Sequence, residues 1–189
     1  EAIDLLEQNL SDRLRVLGPD HPDTLTARNN LAGAFHSAGR LDEAINLLEQ
    51  NLTDHERILG PDHPRTLISR NNLAGSYREA GRLDEAIDLY ERNLDDGLRI
   101  LGPDHSYIFG SRSNLAGTYE SAGRLDKAID LFEQSLSDRL RVLGPDHPDT
   151  LTARNNLAGA YHAAGRLDEA INLLEQSLTD RARVLGPDH

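Results

Sequence analysis

Apolar positions recur along this chain with a helical rhythm, and that rhythm is itself repeated. Leu25, Leu31, Ala32, Phe35 and Ala38 mark one stripe, and Leu41, Ala44, Ile45, Leu48, Leu52, Ile58 and Leu59 a second. Both spacings put the apolar side chains on one face of an α-helix. Gly39 separates the stripes, a residue type that readily takes the left-handed turn after a helix, and Gly60 with Pro61 stops the second stripe. The pattern predicts a hairpin of two helices.

The hairpin is one unit of an array. Leu-Gly-Pro-Asp-His stands at Leu17 to His21, Leu59 to His63, Leu101 to His105, Leu143 to His147 and Leu185 to His189, a step of 42 residues each time. Gly-Arg-Leu-Asp-Glu-Ala-Ile keeps the same step from Gly39, Gly81 and Gly165, with Lys127 replacing the Glu in the copy from Gly123. Two phrases locked to one period mean an all-α repeat array. The expected organisation is a single array over 1–189, in which 1–21 is an orphan second helix and 22–63, 64–105, 106–147 and 148–189 are helix pairs. Asp42 and Glu43 fall in a first turn, where the helix dipole favours carboxylates, and Arg13, Arg15, Arg139 and Arg141 lie towards helix C-termini, where it favours cations. Asp20 or His21 caps the next helix, with Pro22 in its first turn.

Composition narrows the partners. Hydrophobic residues at 38% and aromatics at 4% suit thin layers rather than one thick core. With 32 acidic against 20 basic residues, the net charge of -12 argues against nucleic acid, which is held by clustered Lys and Arg, and against an anionic membrane surface. The chain has no Cys, no apolar run of the ~18 residues that span a bilayer and no signal-like opening, so a cytoplasmic location is expected. The lack of Met and the start at Glu1, inside a repeat, suggest a piece of a longer array.

The spacing Arg28-x2-Leu31-Ala32-x2-Phe35, then Ala44-x3-Leu48 and a closing Pro64, resembles the tetratricopeptide signature. Arg28, Arg70 and Arg154 stand where that family usually has Trp, and the unit is longer than the usual ~34 residues. The longer unit, with Arg-Asn-Asn-Leu-Ala in its first helix, resembles the repeats of kinesin light chain and related bacterial arrays. That resemblance implies a right-handed α-solenoid, a superhelix of antiparallel helix pairs, acting as a non-catalytic scaffold. Its protein or peptide ligand would lie in a concave groove lined by the first helices. Carried over residue by residue, the groove would hold Asn29, Asn71, Ser113 and Asn155 in one row. Gly33, Gly75, Gly117 and Gly159 would lie one turn on, with His36, Arg78, Glu120 and His162 beyond them.

Each Asn amide can donate and accept, which suits an extended peptide backbone; the alternative is that the Asn29 row, and more so the neighbouring Asn30, Asn72, Asn114 and Asn156, join helices within the array. Four mid-helix glycines each cost about 1 kcal/mol against Ala, so close approach of a neighbouring helix is expected, or else of a ligand backbone, with a neutral choice copied by recent duplication as a third reading. Arg28, Arg70, Arg112 and Arg154 could make one strip locally basic. Tyr107 and Phe109, in the irregular third pair, are either drift or an aromatic anchor. Repeated His residues next to Asp suggest a metal ladder, but equivalent loops of stacked pairs lie on the order of 10 Å apart, too far to share an ion. Capping explains them, and neither metal nor cofactor is expected. Asp42-Glu43 and Asp95-Asp96 point to different helix faces and no nucleophile meets a base, so the chain does not read as an enzyme. The rival reading is head-to-tail self-association through Ile3, Leu6 and Leu10 at one end and Leu167, Ile171 and Leu174 at the other.

Overall fold

The computed structural model describes the backbone of residues 1–185 and side chains as far as Leu178. The last loop phrase, residues 186–189, lies outside the described residues, as does the end of the fourth pair. Among the described residues the chain is all-α, with nine helices: α1 (Ala2–Leu17), α2 (Pro22–Ser37), α3 (Leu41–Leu59), α4 (Pro64–Glu79), α5 (Leu83–Leu101), α6 (Ser106–Ser121), α7 (Leu125–Leu143), α8 (Pro148–Ala163) and α9 (Leu167–Leu185). They form two compact units, Glu1–Asp96 and Gly97–His189.

In the first unit α1 packs on α2, α2 on α3 and α3 on α4, the neighbour-to-neighbour layering of a solenoid. Leu10, Ala27, Leu31, Phe35 and Ala44 form one buried cluster, against which Ile3, Leu6 and Leu47 lean. In the second unit α6, α7, α8 and α9 pack in the same sequence. Ile108, Phe109, Ile129, Phe132 and Leu157 are buried there, and each such side chain contributes roughly 1.5 to 3 kcal/mol. Ala44 and Ala128 are fully buried at equivalent places in the two units. A side chain this small lets two helix backbones approach, which accounts for the Ala of the recurring phrase.

Local chemistry fixes the helix ends. Gly39 has φ 73°, and this left-handed residue lets Arg40 N donate to Phe35 O at 2.9 Å while Gly39 N donates to His36 O at 3.0 Å. That pair of bonds closes the helix in a Schellman motif. Arg40 then lies 4.3 Å from the centre of the Phe35 ring and ion-pairs with Glu43 in the first turn of α3. The same arrangement is built by Arg82 on Tyr77 and by Arg166 on Tyr161. Where Lys127 replaces the Glu, its Nζ sits 4.9 Å from the Tyr119 ring centre. The Gly-Arg-Leu-Asp-Glu phrase is therefore a helix stop joined to a helix start.

The loop phrase divides its work between neighbouring residues. His21, not Asp20, is the cap: its Nδ1 accepts from Asp23 N at 3.1 Å, as His63, His105 and His147 do from their own second residue on. Asp20 instead pairs with Arg57 on α3, which also holds Asp54 at 3.0 Å. In the second unit Asp104 takes Arg141, which reaches Asp138 at 3.2 Å. Thr24 Oγ1 donates to Gly18 O at 2.8 Å and Thr66 Oγ1 to Gly60 O at 2.8 Å, tying each new helix to the end of the last. The phrase stops one pair, starts the next and ties it to a helix further along.

Candidate functional site

The first helices carry the candidate row. Leu25, Leu31 and Phe35 turn α2 towards the core, so positions 29, 33 and 36 come to its outer side. In the first unit Asn29 is half-buried and its Oδ1 accepts from Asn72 Nδ2 at 3.2 Å, a bond from α4 to α2. The Asn30 set thus contributes one inter-helix tie at Asn72, while Asn30 is exposed. Asn71 and Arg78 are half-buried on α4. His36 Nε2 lies 2.8 Å from Glu79 Oε2. Beside Asn29 opens a small cleft of about 130 Å³, lined by Leu25, Thr26, Asn29, Asn51, His55, Arg65, Ile68 and Ser69. Its floor comes from α3, where Asn51 is 1% exposed and its Oδ1 has no partner. His55 Nδ1 is 2.8 Å from Ser69 Oγ, and burial pushes the His55 imidazole below its ordinary range.

In the second unit Ser113 and Gly117 are half-buried, as is Glu120, whereas Asn155, Gly159 and His162 are exposed. Ser113 Oγ donates to Phe109 O at 3.0 Å and lies 3.2 Å from Ser135 Oγ, while Ser177 Oγ approaches Asn155 Oδ1 at 3.4 Å. Arg139 of α7 points into the same place that His55 takes in the first unit. Its Nη1 donates to Ser135 Oγ, and to Ser113 Oγ at 3.3 Å, and its carbon Cζ lies 5.5 Å from the centre of the Phe109 ring. Burial pushes the Arg139 guanidinium below its ordinary value.

Three expectations change. Arg28, Arg70, Arg112 and Arg154 make no basic strip, because they are 6%, 1%, 7% and 5% exposed. Arg28 pairs with Asp54 at 2.6 Å, Arg70 with Asp96 at 2.8 Å and Glu56 at 3.1 Å, and Arg112 with Asp138. All four fill the layer where the family usually puts Trp, and Arg28, Arg70 and Arg112 act there as clamps between first and second helices. Gly33 and Gly159 do not mark close helix packing, since a Cβ at either would meet nothing within 4 Å, while one at Gly75 would meet the Tyr90 hydroxyl at 3.4 Å. Phe109 is no surface anchor, since it is 3% exposed and takes the core place of Leu25 and Leu67. Half-buried Tyr107 lies over Gly97, whose added Cβ would come within 3.6 Å of the Tyr107 ring and 2.9 Å of Ile108 Cδ1.

Asn51, His55, Ser69, Ser135 and Arg139 are not marked as site residues by the sequence reasoning. All but Ser69 lie on second helices, which the groove argument passes over. The available signal is variation: position 55 and its counterparts read Arg13, His55, Gly97, Arg139 and Arg181, so His55 and Gly97 depart from an Arg that the other three copies keep. Buried tyrosines make another recurrent contact, with Tyr77 Oη donating to Glu49 Oε1 and Tyr161 Oη to Glu133 Oε1, each at 2.6 Å. Burial, reinforced by the carboxylate, pushes both phenols up to about 12, so they remain donors at neutral pH. Among the described residues no helix is long and apolar enough to cross a membrane.

Comparison with known proteins agrees with this geometry. A family model described as tetratricopeptide repeat matches residues 1–53, 29–95, 66–137 and 107–183. Among solved structures, a candidate kinesin light chain from Podosopora anserina, with nearly identical TPR-like repeats, is 33% identical. It superposes with a TM-score of 0.88 over 97% of this chain and 87% of that one. BtubC from P. vanneervenii shares the fold at 23% identity, with a TM-score of 0.83 over 98% of this chain and 74% of its own. A comparison with curated proteins finds no match.

Proposed function

The chain belongs to the tetratricopeptide repeat family, whose repeats typically form non-catalytic scaffolds for protein interaction, and from that premise we propose that its single repeat array binds an extended peptide along the first helices. The contact face comprises the Asn29, Asn71, Ser113 and Asn155 row with the glycines and polar residues one and two turns on. The observation that carries this reading is the open space at Gly33 and Gly159. A glycine inside a helix costs about 1 kcal/mol against alanine, and no packing among the described residues requires it at these two places. A ligand backbone seated against the helix would require it. The flanking amides and hydroxyls supply donors and acceptors for that backbone.

The two glycines give a test in which stability and binding move in opposite directions. Gly33→Ala and Gly159→Ala should each raise stability by about 0.5 to 1 kcal/mol, because a methyl in open space improves helix propensity without a clash. The same variants should weaken a peptide selected against the chain from a random phage-displayed library by about tenfold, read by calorimetry. Binding unchanged in both variants would remove the groove reading, and the gain in stability rules out misfolding as the cause of any loss.

End-to-end self-association is the second reading, favoured by the exposure of Ile171, Leu174 and Leu178 on α9 at 53%, 46% and 66%. It ranks lower because the matching positions on α3, Ile45, Leu48 and Leu52, are buried in the first unit, where α4 packs on α3. Sedimentation showing a monomer at every concentration would remove it.

A further inference from the structure

His55 is a titratable group buried at a place where other second helices carry a permanent cation. Arg13, His55, Gly97 and Arg139 occupy equivalent positions, and each faces the second residue of the next first helix. Arg13 pairs with Asp23 at 3.2 Å, a Cβ on Gly97 would come within 3.6 Å of the Tyr107 ring, and Asp149 attracts Arg139. Where α3 meets α4 that second residue is Arg65, which lines one cleft together with His55. A cation thus stands where Asp23 and Asp149 offer a carboxylate.

The surroundings favour an uncharged imidazole. His55 is 7% exposed, and its Nδ1 lies 2.8 Å from Ser69 Oγ, a bond that ties α3 to α4. Burial disfavours the charged ring most, and Arg65 of α4 and His63 in the loop before it oppose a positive charge as well. From α2 the shared cleft receives Leu25, Thr26 and Asn29, none of them charged. Asp54, next along α3, favours the charged ring, but its two oxygens are taken by Arg28 and Arg57. We propose that His55 is an acid-sensitive latch, which when neutral fastens α4 to α3 through Ser69 and when protonated moves out towards water and opens that joint. The Ser69 hydroxyl can turn to accept from a protonated Nδ1, so it is the buried charge and not a lost bond that opens the latch. A base whose folded value lies below its unfolded value of about 6.5 gives stability that is complete above 6.5 and lost as pH falls towards the folded value. Arg65, Ile68 and Ser69 form the α4 wall of the cleft beside Asn29, so the latch also controls that wall. The latch belongs to the free chain; its consequence, acid release of a ligand held along α2 and α4, rests on the peptide-binding reading.

Hydrogen exchange of the whole chain without ligand, corrected for the pH dependence of exchange itself, tests the latch at pH 7 and 5.5. Opening of α4 should rise by about three- to tenfold, the upper figure being the ceiling for one proton, while α2, facing Arg13 through Asp23, should hold steady. His55→Gln keeps a polar group for Ser69 but takes no proton, and it should remove the response. Arg65→Asp supplies the carboxylate found at positions 23 and 149, and it should abolish or reverse the response. Capping histidines recur in the other pairs, so an acid effect through them would persist in His55→Gln. An equal rise in His55→Gln, an undiminished rise in Arg65→Asp, or no rise in the parent would overturn the latch. A library-selected peptide without His should bind the parent more weakly at pH 5.5 than at pH 7, and His55→Gln equally at both. Equal binding by the parent while α4 opens would overturn the tie to the groove and leave the latch standing.

Discussion

Replacing Asp54 with alanine will lower the stability of the chain by about 3 kcal/mol, read as a shift of the urea midpoint. Asp54 is the carboxylate paired with Arg28, whose side chain is only 7% exposed, while that of Asp54 is 20% exposed. Removing the acid leaves a guanidinium buried between helices with no carboxylate paired to it, Asp20 attracting it only from beyond pairing distance, and such a loss costs far more than a surface pair is worth. Arg57 loses one partner but keeps Asp20. The double change Arg28→Met with Asp54→Ala should recover most of the loss, because an apolar side chain of similar length fills the layer without charge. A single change costing under about 1 kcal/mol, or a double variant no better than the single, would show that the clamp does not hold the pairs together. The clamp also sets an acid limit. Burial alone would raise the Asp54 carboxyl, but its bonds to Arg28 and Arg57 outweigh this and hold it below the usual carboxylate range. A depressed folded-state value gives stability that is present above the unfolded value of about 3.9 and lost as pH falls through the folded value. Stability should therefore decline below about pH 4, and less steeply in Asp54→Ala.

Gly97→Val will cost about 2 to 3 kcal/mol, for a reason confined to the third pair. A Cβ at this position would stand 2.9 Å from Ile108 Cδ1 and 3.6 Å from the Tyr107 ring. Ile108 is fully buried and cannot swing aside, so a branched side chain overpacks the contact and more than cancels the gain in helix propensity. The other pairs have a threonine in place of Ile108 and a large side chain in place of Gly97. Two changes that look like separate drift are one exchange of volume between adjoining helices. Adding Ile108→Thr should return about half of the loss, measured in the same urea titration. A Gly97→Val chain as stable as its parent would show that the contact yields freely.

How far the sequence is legible depends on the range of the interaction. Helix ends are readable because their chemistry is local: Gly39, Arg40 and Glu43 build a stop and a start within a few residues. Even there, the choice between Asp20 and His21 depends on an acceptor geometry that spacing does not carry, and Asp20 has its partner at Arg57, far along the chain. Arg28 shows the same limit. Its charge is visible in the sequence, but the acid that neutralises it lies 26 residues on, in the next helix. Gly33 announces that a helix needs a small residue, and only the surroundings tell whether a neighbour or open space is the cause. His55 and Arg139 sit on second helices, and their partners, Ser69 for one and Ser113 and Ser135 for the other, are set by packing that the spacing of the repeated phrases does not carry.

Hydrogen exchange across the whole chain, with and without a library-selected peptide, tests the account most directly. Slower exchange concentrated in the first helices α2, α4, α6 and α8 is the predicted result. Protection confined to the loops at residues 18–21 and 60–63, or to the second helices with the first helices unchanged, would contradict it.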